Sequence, residues 1–383
     1  MTSIKDFPRY IDVHGFAEIT VDDFGKWMSF VGSLEEKSKT ISSNDGFEFC
    51  GGKWVYRGQA DAAWPIMSTF EREYLEWFKQ LRNVPDRLRA HELSMLDVFR
   101  QKACGYVERS SMSNLEWLAL MRHYGVPTRF VDFSESPLVA AHFAMQPTKG
   151  ILPNEFAVWA VMRDNHNNWY HECKNAEAQL YFTEIVRKYK KEDINRVIND
   201  PDTTDSLVQK FQKCSNTCTT SPANFSRAVV YNRECAEMVL SDRPSADAIE
   251  RIKTPMVYVY PRLPNARMRA QSGLFLMPMD VSVPFMESLY KWEQCPKQEK
   301  VSRYMIGEAL DKDVFYALSS QCSILKFVFR GDLRHDMEVI LGMANVNAQT
   351  IAPDLEGVAE YVRHEFERSG KEIYDNPIKI RVS

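Results

Sequence analysis

The sequence predicts an α+β fold, a mixed and mainly antiparallel central sheet flanked by helices. Three observations predict it. Five β-prone stretches, Lys53–Gly58, Phe156–Met162, Pro255–Tyr260, Gly273–Met277 and Ile324–Phe329, are spread along the chain without a regular βαβ alternation. Between them apolar residues recur at three- and four-residue steps, the helical period. With 383 residues, 44% of them hydrophobic, the chain can bury a substantial core. The length suggests about two domains, and one elaborated domain fits as well.

Taken in order, residues 1–45 form an N-terminal segment. Lys53-Trp-Val-Tyr-Arg-Gly then reads as a strand that stops at a glycine. From Thr69 to about Arg109 the spacing of Phe70, Tyr74, Trp77, Phe78 and Leu81 predicts a helix, and Asn114–Tyr124 predicts a second. Ser136 followed by Pro137 is an N-cap and first-turn pair, so a helix should begin there and run through LVAAHFAM. Residues 163–253 turn polar and helical, which reads as an insertion or a lid. After Leu333 a helical segment closes the chain. The expected organisation is a core over 46–362 carrying that insertion, with a tail at 363–383.

A charged fraction of 26% and a net charge of -4 provide no global basic field for nucleic acid or acidic membranes. Any such partner needs a local patch. The Arg187–Lys191 run is followed at once by Glu192 and Asp193, so it reads as a solvated helix face. The N-terminus lacks the apolar stretch of a signal peptide, and no run reaches the roughly 20 apolar residues that span a bilayer. A cytoplasmic protein with no membrane partner is expected. Eight scattered cysteines fit a reducing compartment. Cys214 and Cys218 lack both the CxxC spacing and a histidine partner, so no metal is expected. Glycine-rich phosphate loops, the serine-hydrolase elbow and HExxH are all absent.

Three polar segments in apolar surroundings could carry chemistry. In Tyr56-Arg57-Gly58-Gln59 an arginine follows an apolar strand, and the glycine lets a ligand or backbone come close. Two readings fit: a guanidinium fork for phosphate or carboxylate, or an arginine paired to an internal carboxylate. The second segment runs from His123 to Pro137 and carries Tyr124, Thr128, Arg129, Asp132, Ser134 and Ser136 beside the start of the predicted helix. A helix N-terminus there is a seat for a phosphate or polar ligand. The alternative is structural, with Arg129 paired to Asp132 and His123 a core histidine. In the third segment, Asn265–Phe275, Gln271 and Gly273 precede a predicted strand.

Tyr-Arg-Gly-Gln with Trp64-Pro after it, WLALMRHYGVPTRFVDFSESPLVAAHFA, NARMRAQSGLF, and ILKFVFRGDLRHDMEVILGMANVNAQTIAPDLEGVAEYV together resemble the FRG domain family over about Trp54–Val362. Arg122 stands where glutamine is common in that family. The order of the blocks is similar to that of the ADP-ribosyltransferase superfamily, which implies a core of that type. By that resemblance NAD would be the substrate, and Arg57 would hold its phosphates or nicotinamide ribose. Ser134 and Ser136 would brace the ribose region, and Gln271 would occupy the place of a catalytic glutamate. An amide can orient but cannot stabilise an oxocarbenium-like charge as a carboxylate does, so Asp132 or Glu135 would have to compensate. Tyr56, Gln59, His123, Tyr124, Thr128 and Arg129 complete the expected ligand-binding set. The implied function is an NAD-utilising ADP-ribosyltransferase-like enzyme or NAD glycohydrolase, a microbial toxin or phage-defence effector with a protein or nucleic-acid acceptor. A non-catalytic nucleotide-binding or sensor module in the same pocket is the alternative.

Overall fold

The computed structural model describes residues 16–39, 54–74, 85–107, 112–147, 152–162, short stretches between 181 and 215, 232–241, 254–293 apart from 263, 303–306 and 324–375. Within them eight strands form one sheet in the order β5-β6-β3-β2-β4-β8-β1-β7. The strands are β1 Ala17–Val21, β2 Trp54–Gln59, β3 Val131–Ser134, β4 Glu155–Met162, β5 Met256–Val259, β6 Gly273–Pro278, β7 Arg303–Ile306 and β8 Ile324–Arg330. β1 runs parallel to both of its neighbours, β7 and β8, and every other pairing is antiparallel. The sheet is therefore mixed and mainly antiparallel, as the sequence predicts.

The helices are α1 Phe24–Lys39, α2 Thr69–Glu73, α3 Pro85–Ala103, α4 Asn114–His123, α5 Pro137–Met145, α6 Ser206–Ser215, α7 Ala266–Ala270, α8 Phe285–Glu293, α9 Arg334–Met343, α10 Ala348–Ile351 and α11 Leu355–Asp375. They cover both faces of the sheet. On one face Trp54, Tyr56, Phe156, Val158, Ala160, Phe327 and Phe329 pack with Trp27 of α1, Ala140 and Ala144 of α5 and Met337 of α9. On the other, Val55, Trp159, Val161, Val131, Phe133, Leu274 and Leu276 pack with Phe285, Leu289 and Trp292 of α8. Burial on both faces is why β4 reads as a continuous apolar run and not as an alternation. Each fully buried large side chain contributes about 1.5–3 kcal/mol.

A further core lies at the β5 end. Val257, Val259, Phe275 and Met277 alternate with the residues that face α8, so they turn to the first face, where Leu96 of α3 and Leu118 and Met121 of α4 cover them. Phe130 stacks on Phe275 there at 4.5 Å. The α4 and α5 layers thus share one face.

The long helix expected from Thr69 is interrupted. Ser68 caps α2 through Glu71 N–H and that helix ends at Tyr74, while a separate helix, α3, is described from Pro85, a residue suited to a first turn. Trp77, Phe78 and Leu81 lie outside the described residues. β1 and β3 were not legible as strands, because AEITV and VDFS are short and carry polar residues. The predicted strands and the helix opening at Ser136-Pro137 are present, with the Ser136 hydroxyl accepting from Val139 N–H.

Of the polar stretch 163–253, 163–180, 216–231 and 242–253 lie outside the described residues, as does Cys218. Residues 232–239 are helical and dock on the start of α4. Arg89 donates to the carbonyls of Val239 and Ser241, and Asn114 Nδ2 to that of Leu240 at 2.7 Å. These donors satisfy carbonyls that a helix end leaves unpaired. Glu237 accepts from Leu115 N–H at 3.3 Å, and Arg233 pairs with Glu116 at 2.9 Å.

Candidate functional site

β3 brings the polar residues of the central block to its seam with β2, Asp132 against α4 and Ser134 against the start of α5. Val131 and Phe133 turn toward α8, so Asp132 and Ser134 turn to the opposite face. Tyr56, on the neighbouring strand, faces the same way as Ser134, its register partner. β2 pairs with β4 at every position from Trp54 to Gln59, but with β3 at Tyr56↔Ser134 alone. Beyond that pair Arg57 enters between the two strands and donates through Nη1 to the main-chain carbonyl of Asp132 at 2.7 Å.

The charge balance around Arg57 is incomplete. Its Nη1 stands 4.0 Å from Asp132 Oδ2, too far for a hydrogen bond, and its Nε is buried with no partner among the described residues. Asp132 gives its carboxylate instead to Arg122 of α4, which binds it through Nε and Nη2 and reaches Thr69 Oγ1 at 3.0 Å through Nη1. Burial pulls the Arg57 pKa down to about 10; Asp132 opposes the shift, while Arg122 and Arg72 add to it. Arg57 remains a cation at neutral pH. Desolvation raises the Asp132 pKa, but Arg122 and then Arg57 outweigh it and hold that carboxyl below its usual value. The result is a mostly buried cation with spare donor capacity beside β3 and Arg122, an arrangement suited to an anion.

Ser134 links the second and third segments. Its hydroxyl donates to the Gln271 carbonyl at 2.6 Å and accepts from Ser136 N–H at 2.9 Å, while Ser136 caps α5. Gln271 closes α7 before a left-handed Ser272 at φ 47°. Its side chain does not turn into the seam: Nε2 donates to the Ile351 carbonyl of α10 at 3.1 Å. Glu135, the other candidate carboxylate, accepts from Tyr260 Oη at 2.5 Å.

Several expected ligand contacts prove internal. Tyr56 is wholly buried among the residues beneath α5. Gln59 is spent on Pro65 O and Trp159 Nε1. Thr128 is fully buried and clasped through its main chain by Thr69 Oγ1. The alternative of a pair between Arg129 and Asp132 does not form either. Arg129 is buried against Glu92 and donates to the carbonyls of Pro278 and Met279, because Phe130 and Arg129 lie in the β5-end core and not in the seam. His123 and Tyr124 stay on the surface, with His123 Nδ1 3.0 Å from Asn265 Nδ2 and Tyr124 68% exposed. Arg122 and Thr69 are the residues that reading by motif missed; a basic residue at the end of α4, ten positions before Asp132, was the available signal.

Among the described residues no helix is long and apolar enough to cross a membrane. Neither curated proteins nor solved structures match the chain. The family model for the FRG domain matches residues 52–150, the span that holds β2, α4, β3 and α5 and with them Arg57, Arg122, Asp132, Ser134 and Ser136. Gln271 and the C-terminal block lie outside that match. Residues 52–150 are thus identified as an FRG domain.

Proposed function

We propose that the β2–β3 seam binds a nucleotide of the NAD type, with Arg57 on its phosphates, and that the protein acts on NAD as an ADP-ribosyltransferase-like enzyme or NAD glycohydrolase. The observation that carries this reading is Arg57 itself, a strand-borne and mostly buried cation whose Nε has no partner among the described residues and whose neighbouring carboxylate, Asp132, is held by Arg122. A pyrophosphate would supply the missing acceptors. The block order noted in the sequence supports an ADP-ribosyltransferase-like core, and Asp132 is then the carboxylate nearest the bound phosphates. A role as a toxin or defence effector rests on the same resemblance.

A specific observation favours the second reading, a nucleotide-binding module without turnover. The Gln271 amide is engaged by Ile351 O, and Arg122 ties the Asp132 carboxylate, so neither of these two candidates is free to take a proton. The test is to incubate the protein and its Arg57→Ala variant with NAD, following binding by calorimetry and nicotinamide by mass spectrometry. Binding with nicotinamide release by the unaltered protein alone supports the enzyme. Binding without release supports the module. Equal binding by both proteins refutes the site.

A further inference from the structure

Thr69 ties α2 to the polar group around Arg57. Its Oγ1 accepts from Arg122 Nη1 at 3.0 Å, and Arg122 in turn holds the Asp132 carboxylate, so the start of α2 lies against that group. Arg72 stands three residues further along α2, about 60° around the helix from Thr69 and just under one turn on, and therefore on the same side. Its side chain is exposed, and its charge reaches Arg57, whose pKa it helps to depress. Among the described residues no carboxylate pairs with it.

Three guanidiniums, those of Arg57, Arg72 and Arg122, thus gather about Asp132, whose carboxylate is hydrogen-bonded by Arg122 alone of the three. Arg57 is the inner cation, its side chain 19% exposed, and Arg72 the outer one. Like charges brought together repel, so the group is most stable with an anion of more than one charge among them. A basic residue in the last turn of a helix is favourable in its own right. In a helix of five residues that effect is small, and it does not call for a neighbour of like charge. We infer that Arg72 is a specificity-determining residue of this site, taking a second phosphate beside the one on Arg57, so that the site selects a pyrophosphate over a single phosphate. The inference rests on the reading that Arg57 holds phosphate.

Calorimetric titration of the full chain with AMP, ADP and NAD tests this, with Arg72→Gln, Arg72→Lys and Arg57→Ala as variants. The unaltered protein should bind ADP at least about tenfold more tightly than AMP, the worth of one further charge-assisted contact. Arg72→Gln should weaken ADP by about tenfold and leave AMP within about twofold, while Arg72→Lys, which keeps the charge, should retain most of the preference. A loss shared by NAD assigns the two phosphates to the interior of a dinucleotide, and a loss confined to ADP assigns them to the end of a nucleoside diphosphate; both support the inference. Equal affinity for AMP and ADP, or a preference for ADP that survives Arg72→Gln, overturns it. If Arg57→Ala still weakens both nucleotides in that case, the phosphate reading of Arg57 stands without it. No binding of any of the three, or binding indifferent to Arg57→Ala, overturns both.

Discussion

Arg57 donates to the main-chain carbonyl of Asp132 at 2.7 Å and yet stands 4.0 Å from that residue's carboxylate, which Arg122 has taken. The two residues are therefore separable by mutation. Arg57→Ala should weaken NAD binding by more than tenfold, the loss of a charge-assisted contact. Asp132→Asn should preserve binding, because the carbonyl contact survives, and abolish any nicotinamide release that depends on this carboxylate. Calorimetry and single-turnover product analysis on the two variants separate these effects.

Gln271→Ala should leave NAD affinity within twofold of the unaltered protein and lower stability by about 0.5–1.5 kcal/mol, the net worth of one hydrogen bond. Its amide is turned to Ile351 and ties α7 to α10. Urea denaturation beside a binding isotherm measures both.

Gly58 is where α5 lies against β2. A Cβ there would fall 2.0 Å from Ala140 O and 2.5 Å from Ala144 N, both main-chain atoms that cannot rotate away. Gly58→Ala should cost at least about 1–3 kcal/mol through forced displacement of α5. The expected readouts are a lower urea midpoint and a loss of NAD binding, since α5 carries the Ser136 cap.

Arg129 and Glu92 are both almost completely buried, so removing one partner leaves the other as an uncompensated charge. Glu92→Gln should destabilise by about 3–5 kcal/mol. A variant with unchanged thermal unfolding but reduced ligand binding would return Arg129 to the ligand-binding set.

His142 of α5 has a pKa lowered to about 4, by burial first and by His364 second. Its Nε2 is 3.0 Å from Gln146 Nε2, an amide nitrogen that can only donate, so the ring accepts as a neutral imidazole. The unfolded chain binds this proton near pH 6.5 and the folded one only near 4, so stability should fall as pH drops through that interval. His142→Gln should flatten the pH dependence of the urea midpoint over that range.

Much of this could be read beforehand, for identifiable reasons. β2, β4, β5, β6 and β8 are apolar enough to announce themselves, and Ser136-Pro137 fixed the start of α5. β3 could not be read from pattern, because two of its four residues are the polar groups of the site. Of the residues that the sequence singles out, Arg57 lies against Asp132 and Ser134 against Ser136, as two separate contacts. What the sequence could not convey was partnership. Arg129 and Arg122 are equally plausible neighbours of Asp132 along the chain, and only the turn at residues 124–130 sends one into the core and the other to the carboxylate.

The position of β1 has a consequence for the order in which the molecule can assemble. It is an interior strand whose two neighbours, β8 and β7, come from the far end of the sequence, with Ala17 aligned to Leu325 and Glu18 to Arg303. During synthesis this strand emerges well before its partners and must wait for about three hundred more residues before either edge can be paired. β2 faces a shorter delay, because both of its partners, β3 and β4, follow it within about a hundred residues. Loop-closure entropy therefore favours an early nucleus around the β2–β3–β4 region and makes insertion of β1 a late and slow event. Until then the unpaired edge of β8 is exposed, and the nascent protein is most vulnerable to aggregation in that interval.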